Sequence, residues 1–187
     1  MLRKLLLSFA LILSACGAEI DLSIQAPATF SREPGGYETA TVTRVVDGDT
    51  LVVDITARSD GPGAGLAPIG GDQRVRLIGI DTPESVDPRR PVGCFGKESS
   101  AATAALVEGA EVRLVKDVEE SDSFDRLLRY VYLGDEMVNA RLVVNGYATA
   151  FTYPPNVRWS ELFVQLEREA REGARGLWSM ESCNGKP

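Results

Sequence analysis

The chain of 187 residues contains no histidine and only three cysteines. Zinc sites of the Cys/His type, histidine general bases and Ser-His-Asp triads are therefore excluded. Any chemistry must run on carboxylates, arginine, lysine or tyrosine. Basic residues are also in short supply, with 20 Lys and Arg against 27 Asp and Glu, for a formal charge of −7. A broad sequence-independent grip on nucleic acid, which uses a basic face, is disfavoured, although a local basic pocket is not. Internal repeats and heptads are missing, and 44% hydrophobic with 25% charged content is ordinary for one globular domain.

Long apolar runs are missing too, apart from Leu5 to Leu13 in "MLRKLLLSFALILSA". That run is too short for a permanent membrane span, and it follows Arg3 and Lys4 and precedes small residues. This is the pattern of a secretory signal peptide over residues 1–15. Its removal would take the charge from −7 to −9. The signal ends in "LSAC", Leu13 to Cys16, which resembles the bacterial lipobox. That resemblance implies cleavage before Cys16, lipidation of its sulfur and a membrane-anchored extracytoplasmic protein; an ordinary secreted or periplasmic protein is the alternative. Residues 16–36 lack periodicity and read as the lipidated cysteine with a flexible tether of about 25 Å typical reach. The remaining pair, Cys94 and Cys183, would meet oxidising conditions and is expected to bridge, tying the C-terminal tail to the middle of the domain.

From Tyr37 onward the pattern is β-rich. "YETATVTRVVDGDTLVVDI" reads as two strands around Asp47-Gly48, and "QRVRLIGID" (Gln73 to Asp81) as a third. Residues 57–72 are Gly- and Pro-rich and read as a surface loop. Helices are expected over Lys97–Ala110, in "VNARLVVNGYA", and over Trp159–Trp178, where Leu162, Phe163, Leu166 and Ala170 share one face. Further strands are expected at Glu111–Val118 and Leu127–Val138. The order of elements, five or so short strands with helices interposed and at the end, points to an α+β, β-rich domain over residues 37–187 of the small OB-type barrel kind.

Two strands end in carboxylates. Asp47 and Asp49 flank Gly48, and Asp81-Thr82 is followed by Pro83 and Glu84. A tight Asp-Gly turn explains Asp47 but not Asp49, where the chain should already be returning as strand. Were these ends to meet, the negative cluster would be costly without a positive charge in it. Oxygen donors without nitrogen or sulfur suit Ca²⁺ or Mg²⁺. Arg76 and Arg126 lie where they could face an anion held beside such a cation, and a phosphate is the natural candidate. Arg74 shares the face of Arg76, so spacing alone does not choose between them.

"VVDGDT", "RLIGIDTPE", "FDRLLRYVY", "MVNARLVVNGYA" and "YPPN" occur in the order and approximate spacing of the thermonuclease family, whose type member is staphylococcal nuclease. The chain resembles that family from about Thr41 to Trp178. The resemblance implies a five-stranded OB-type Greek-key barrel with about three helices, and a monomeric enzyme that hydrolyses phosphodiester bonds of DNA and RNA, preferentially single-stranded, with one Ca²⁺. By the same resemblance Asp49 and Asp81 are carboxylate ligands, Thr82 offers its carbonyl, and Asp47 acts from the outer shell through water. Glu84 matches the general base, Arg76 and Arg126 the pair that grips the scissile phosphate, and Phe124, Phe151 and Tyr153 the nucleotide contacts. Several departures stand out. The family's "YGR" is "FDR" here, so Phe124 lacks a hydroxyl and Asp125 adds a negative charge beside Arg126. The 57–72 loop is longer and is expected to shape substrate access. A binding module without cutting, or a structural envelope lipoprotein, are the competing readings; loss of Glu84 or of either arginine would have favoured the binding module, and all three residues are present.

Overall fold

A computed structural model of the protein describes residues 20–86 and 92–186. The signal peptide and Cys16 lie outside the described residues.

Five strands close into a barrel. β1 (Tyr37–Asp47) pairs antiparallel with β2 (Thr50–Ser59), and β2 with β3 (Asp72–Leu77). β4 (Ile80–Asp81) leaves the barrel, and helix α1 (Gly96–Val107) leads into β5 (Glu111–Val115), which returns beside β1. β6 (Leu127–Leu133) pairs antiparallel with β5 and parallel with β3, which closes the ring. The register of β1 on β2 shifts at three places, and such bulges bend long strands around a small barrel. β7 (Glu136–Met137) completes a hairpin with β6 and runs into α2 (Val138–Val144); β8 (Thr149–Ala150) and α3 (Ser160–Glu172) follow. The fold is the five-stranded OB-type barrel with three helices expected from the sequence.

Burial follows the pleat. Val42, Leu51, Val53, Ile55, Val75, Leu77, Val112, Leu114 and Val131 fill the interior, and α2 buries Val138, Ala140, Leu142, Val143 and Val144 against it. α3 contributes Phe163, Leu166 and Ala170, with Leu162 packed partly beneath. Among the described residues no helix is long and apolar enough to cross a membrane.

The expected strand from Gln73 to Asp81 is broken. Gly79 has φ +80°, and a Cβ there would sit 2.3 Å from the Phe163 ring. Glycine alone meets both demands. The break turns β4 out of the barrel to pair with β8, Asp81 opposite Thr149, and so delivers Asp81 to the mouth of the β1–β2 turn.

Residues 20–36, expected as part of a flexible tether, are packed on the domain. Thr29 is fully buried, and Phe30 lies edge-on to Tyr37 and Tyr132. The buried Glu33 carboxylate accepts hydrogen bonds from Tyr132 Oη (2.6 Å), Trp159 Nε1 (2.8 Å) and Arg158 Nη1 (2.6 Å). These anchors are scattered single residues whose partners lie about a hundred positions away, so no local periodicity marks them. Cys94 and Cys183 form the expected disulfide, with Cα atoms 5.9 Å apart and 89 positions between them in sequence. Closing a loop of that length restricts the unfolded chain by about 4.6 kcal/mol in the chain-entropy account.

Candidate active site

The β1–β2 turn places Asp47 and Asp49 at one end of the barrel. Thr50 pairs with Arg76 across the β2–β3 ladder, and Leu77 N–H donates to the Asp49 carbonyl at 2.9 Å. That register decides between the two arginines. Arg74 pairs with Val52, further from the turn, and is exposed; Arg76 reaches the carboxylates. Its Nη2 lies 3.1 Å from Asp49 Oδ2 and 2.9 Å from Asp81 Oδ1, while Nη1 donates to the carbonyls of Leu77 (2.8 Å) and Ile80 (2.9 Å). One guanidinium thus joins the ends of β2, β3 and β4.

Asp49 is buried and also accepts from Thr50 Oγ1 (3.0 Å) and from Thr82 N–H (3.1 Å). Asp47 accepts from Gly48 N–H (2.8 Å) and from Ser85 Oγ (2.6 Å). Glu84 Oε1 accepts from Val86 N–H at 2.9 Å. Burial pushes the Asp47 carboxyl above the ordinary range, and the charges of Asp49 and Glu84 add to it against two hydrogen bonds. Burial likewise raises Asp81, with Asp49 adding to the rise and Arg76 opposing it. The four acids therefore feel one another, and Arg76 compensates them only in part.

The chemistry of this corner fits a hard cation: carboxylate and carbonyl oxygens, excess negative charge, and a buried Thr82 Oγ1 with no hydrogen-bond partner among the described residues. Among those residues, no group of three or more Asp, Glu or Cys side chains stands as a ready cage, and Asp49 and Asp81 are both paired with Arg76.

Arg126 comes from the loop that opens β6. Its Nε donates to Asp122 Oδ2 at 2.7 Å and its main-chain N–H to Asp122 Oδ1 at 3.0 Å, with the guanidinium 5.5 Å from the Phe124 ring centre. The carboxylate bonded to Arg126 is thus that of Asp122, four residues earlier, and not that of the neighbouring Asp125. Asp125 has φ +57°, the left-handed conformation that aspartate tolerates better than most residues and that glycine supplies in "YGR". Burial would raise Asp122, but the Arg126 side chain and two main-chain N–H groups bring its carboxyl below the ordinary range, so it stays ionised and keeps the arginine aimed.

Arg76 and Arg126 line one cleft of about 490 Å³, together with Gly79, Ile80, Leu128, Phe124, Phe151 and Tyr153. The aromatic rings are presented to solvent, Phe124 at 73%, Phe151 at 48% and Tyr153 at 66% exposure, so none of them is spent on the core. Phe151 and Tyr153 lie nearly parallel, 9° apart, ahead of a cis Pro154-Pro155 bond. No residue of the 60–71 loop lines this cleft, contrary to the expectation that it shapes access there. It packs elsewhere, with Lys116 N–H donating to Gly63 O and Leu66 N–H to Glu120.

Sequence reasoning missed Ser85, Asp122, the buried pair Glu38 and Arg129, and the partly exposed Glu120 bonded to Arg129. Asp122 carried a signal, since its side chain accepts from Phe124 N–H two residues on, the Asx-turn habit of aspartate before a left-handed residue. Arg129 alternates inward with Leu127 and Val131, and an inward arginine in an apolar strand announces a buried partner. Ser85 has no such mark.

The family model of staphylococcal nuclease homologues matches residues 74–180. The chain is 42% identical over 141 residues to a thermonuclease of Staphylococcus intermedius, covering 75% of this chain and 76% of that protein. It is 37% identical over 172 residues to a thermonuclease of Staphylococcus hyicus, covering 87% and 92%. Endonuclease YncB of Bacillus subtilis (strain 168) is 30% identical over 141 residues, covering 74% and 61%.

Proposed function

The chain belongs to the staphylococcal nuclease family, and from that premise we propose that it is a Ca²⁺-dependent nuclease, a monomer that hydrolyses phosphodiester bonds of DNA and RNA. The observation that carries this reading is the convergence of Arg76, from β3, and Arg126, from the loop before β6, on one aromatic-walled cleft beside an acidic corner. Three exposed rings suit unpaired bases, which stack on aromatic faces, so single strands are the preferred substrate. The acidic balance of the chain makes capture of long polymers weak.

In this mechanism Arg76 and Arg126 donate to the non-bridging oxygens of the scissile phosphate. Their charges count for more as negative charge builds on five-coordinate phosphorus than in the ground state. Asp49, Asp81 and the Thr82 carbonyl would hold Ca²⁺, with Asp47 beside it through water. When bound, the ion supplies Lewis-acid neutralisation of the same developing charge. Glu84 orients a water and takes its proton as the new P–O bond forms; one P–O ester bond breaks, and the leaving oxygen is reprotonated from solvent. Phe124, Phe151 and Tyr153 hold the flanking nucleotides.

The purified domain is expected to degrade denatured DNA with millimolar Ca²⁺, to stop when a chelator is added, and to show a higher unfolding midpoint with Ca²⁺ than without. Absence of cutting from pH 7 to 10 would turn the reading toward a binding module.

The proposal includes anchoring at Cys16, outside the cytoplasm. Since residues 20–36 are docked, only residues 17–19 separate the anchor from the packed chain, a span of at most about 14 Å. The domain would then sit close to the bilayer. Palmitate labelling in cells should be lost in Cys16→Ala; undiminished labelling would end the proposal.

A further inference from the structure

Behind the cleft lies a charged cluster inside the barrel wall. Arg129 and Glu38 are fully buried, 2.6 Å apart through Arg129 Nε and Glu38 Oε2. Arg129 Nη2 donates to Glu120 Oε1 at 2.5 Å, and Nη1 to the Glu120 carbonyl at 3.0 Å. The same carbonyl accepts from Leu128 N–H (3.0 Å), and Glu120 Oε1 also accepts from Leu66 N–H (3.0 Å). Arg58 Nη2 lies 3.5 Å from Glu38 Oε1, which balances the charge of the cluster.

Glu120 is the root of the loop that ends in Arg126. Beyond it Ser121 bridges Leu127, Asp122 N–H donates to the Arg126 carbonyl at 2.9 Å, and the Asp122 carboxylate holds the Arg126 side chain. The loop is closed on itself from Ser121 to Leu127, and it joins the barrel at two points, at Leu127, which pairs with Val75 on β3, and at Glu120. Arg129 fixes that point from the strand and Leu66 fixes it from the 60–71 loop. The long loop that does not line the cleft thereby acts on it at one remove.

We propose that Glu120, gripped by Arg129 and by Leu66 N–H, is a positioning residue that sets where Arg126 meets the phosphate. The inference rests on the reading of Arg126 as a phosphate ligand. Misplacing a transition-state group by a fraction of an ångström to an ångström costs between about tenfold and a hundredfold in rate.

The test is a double-mutant cycle on Ca²⁺-dependent cleavage of single-stranded DNA. Glu120→Ala leaves Arg129 paired with Glu38, and the positive charge left over falls on Arg58, whose side chain reaches solvent. It is expected to lower kcat about tenfold or more in the parent and to have no further effect in Arg126→Ala, because there is nothing left to position. Glu120→Gln keeps an acceptor for Leu66 N–H and Arg129 and should recover most of kcat. Gly65→Ala attacks the cluster from the other side, since its Cβ would fall 1.9 Å from Arg129 Nη2, and should give the same non-additive loss even if Glu120→Ala folds poorly. An equal loss in both backgrounds, or undiminished kcat in Glu120→Ala, would overturn the proposal alone. Undiminished kcat in Arg126→Ala would overturn the role of Arg126 and this proposal with it.

Discussion

Glu84→Gln is expected to lower kcat by about 10²- to 10⁴-fold, the usual share of a positioned general base. The substitution keeps the shape and keeps an acceptor for the Val86 N–H, which Glu84 Oε1 now holds at 2.9 Å. What it removes is the ability to take a proton from water. The charge of Glu84 is felt at Asp47 and at Asp81, so the carboxylate is part of the acidic corner. Neutralising it weakens the attraction for a divalent cation by about tenfold to thirtyfold, the worth of one charge acting on a dication through water. The measurement is therefore a comparison: Ca²⁺ affinity from the shift in unfolding midpoint, against kcat on single-stranded DNA at saturating Ca²⁺. Turnover should fall far more than affinity. A fall in affinity as deep as the fall in turnover would reassign Glu84 as a ligand.

The parts of this site that could be read from sequence are those whose cause is local. Asp47-Gly48 declares a turn by its own chemistry, and Asp49 was conspicuous because a carboxylate stood where strand should resume. Gly146 ends α2 with φ +76°, as Asn145-Gly146 led one to expect. The parts that escaped depend on register and on distant partners. Arg74 and Arg76 share a face, and only the pairing of Thr50 with Arg76 puts the second beside Asp49. Gly79 looked like one residue of a strand; the Phe163 ring pressed against it, from a helix eighty positions later, is what requires glycine there and turns the chain. Residues 20–36 looked like a tether because a carboxylate such as Glu33 shows its purpose only through Tyr132, Arg158 and Trp159. The family resemblance supplied the choice of Arg76 that periodicity lacked, but it was silent on Arg129 and Glu120.

Arg76→Ala is expected to lower kcat by about 10³-fold or more, as loss of a transition-state arginine does. It should also uncover the electrostatic problem that the sequence posed at Asp47 and Asp49. In the structure Arg76 is the cation bonded to both Asp49 and Asp81, and it draws in the carbonyls of Leu77 and Ile80 besides. Without it, buried Asp49 loses its charged partner while its acidic neighbours remain. Asp81 is half exposed, so solvent screens part of the cost, and a destabilisation of about 1–2 kcal/mol is the appropriate scale. For a domain of this size that is a drop of a few degrees in the unfolding midpoint. A divalent cation held by the same carboxylates can replace the missing charge. The drop should therefore be largest in chelator and smaller in millimolar Ca²⁺, whereas kcat should stay low in both. Calcium would restore the electrostatic balance of the corner without restoring the donor to phosphate. A midpoint that falls equally with and without Ca²⁺ would mean that the ion does not share the carboxylates with Arg76. Activity that survives the substitution would remove Arg76 from the phosphate grip.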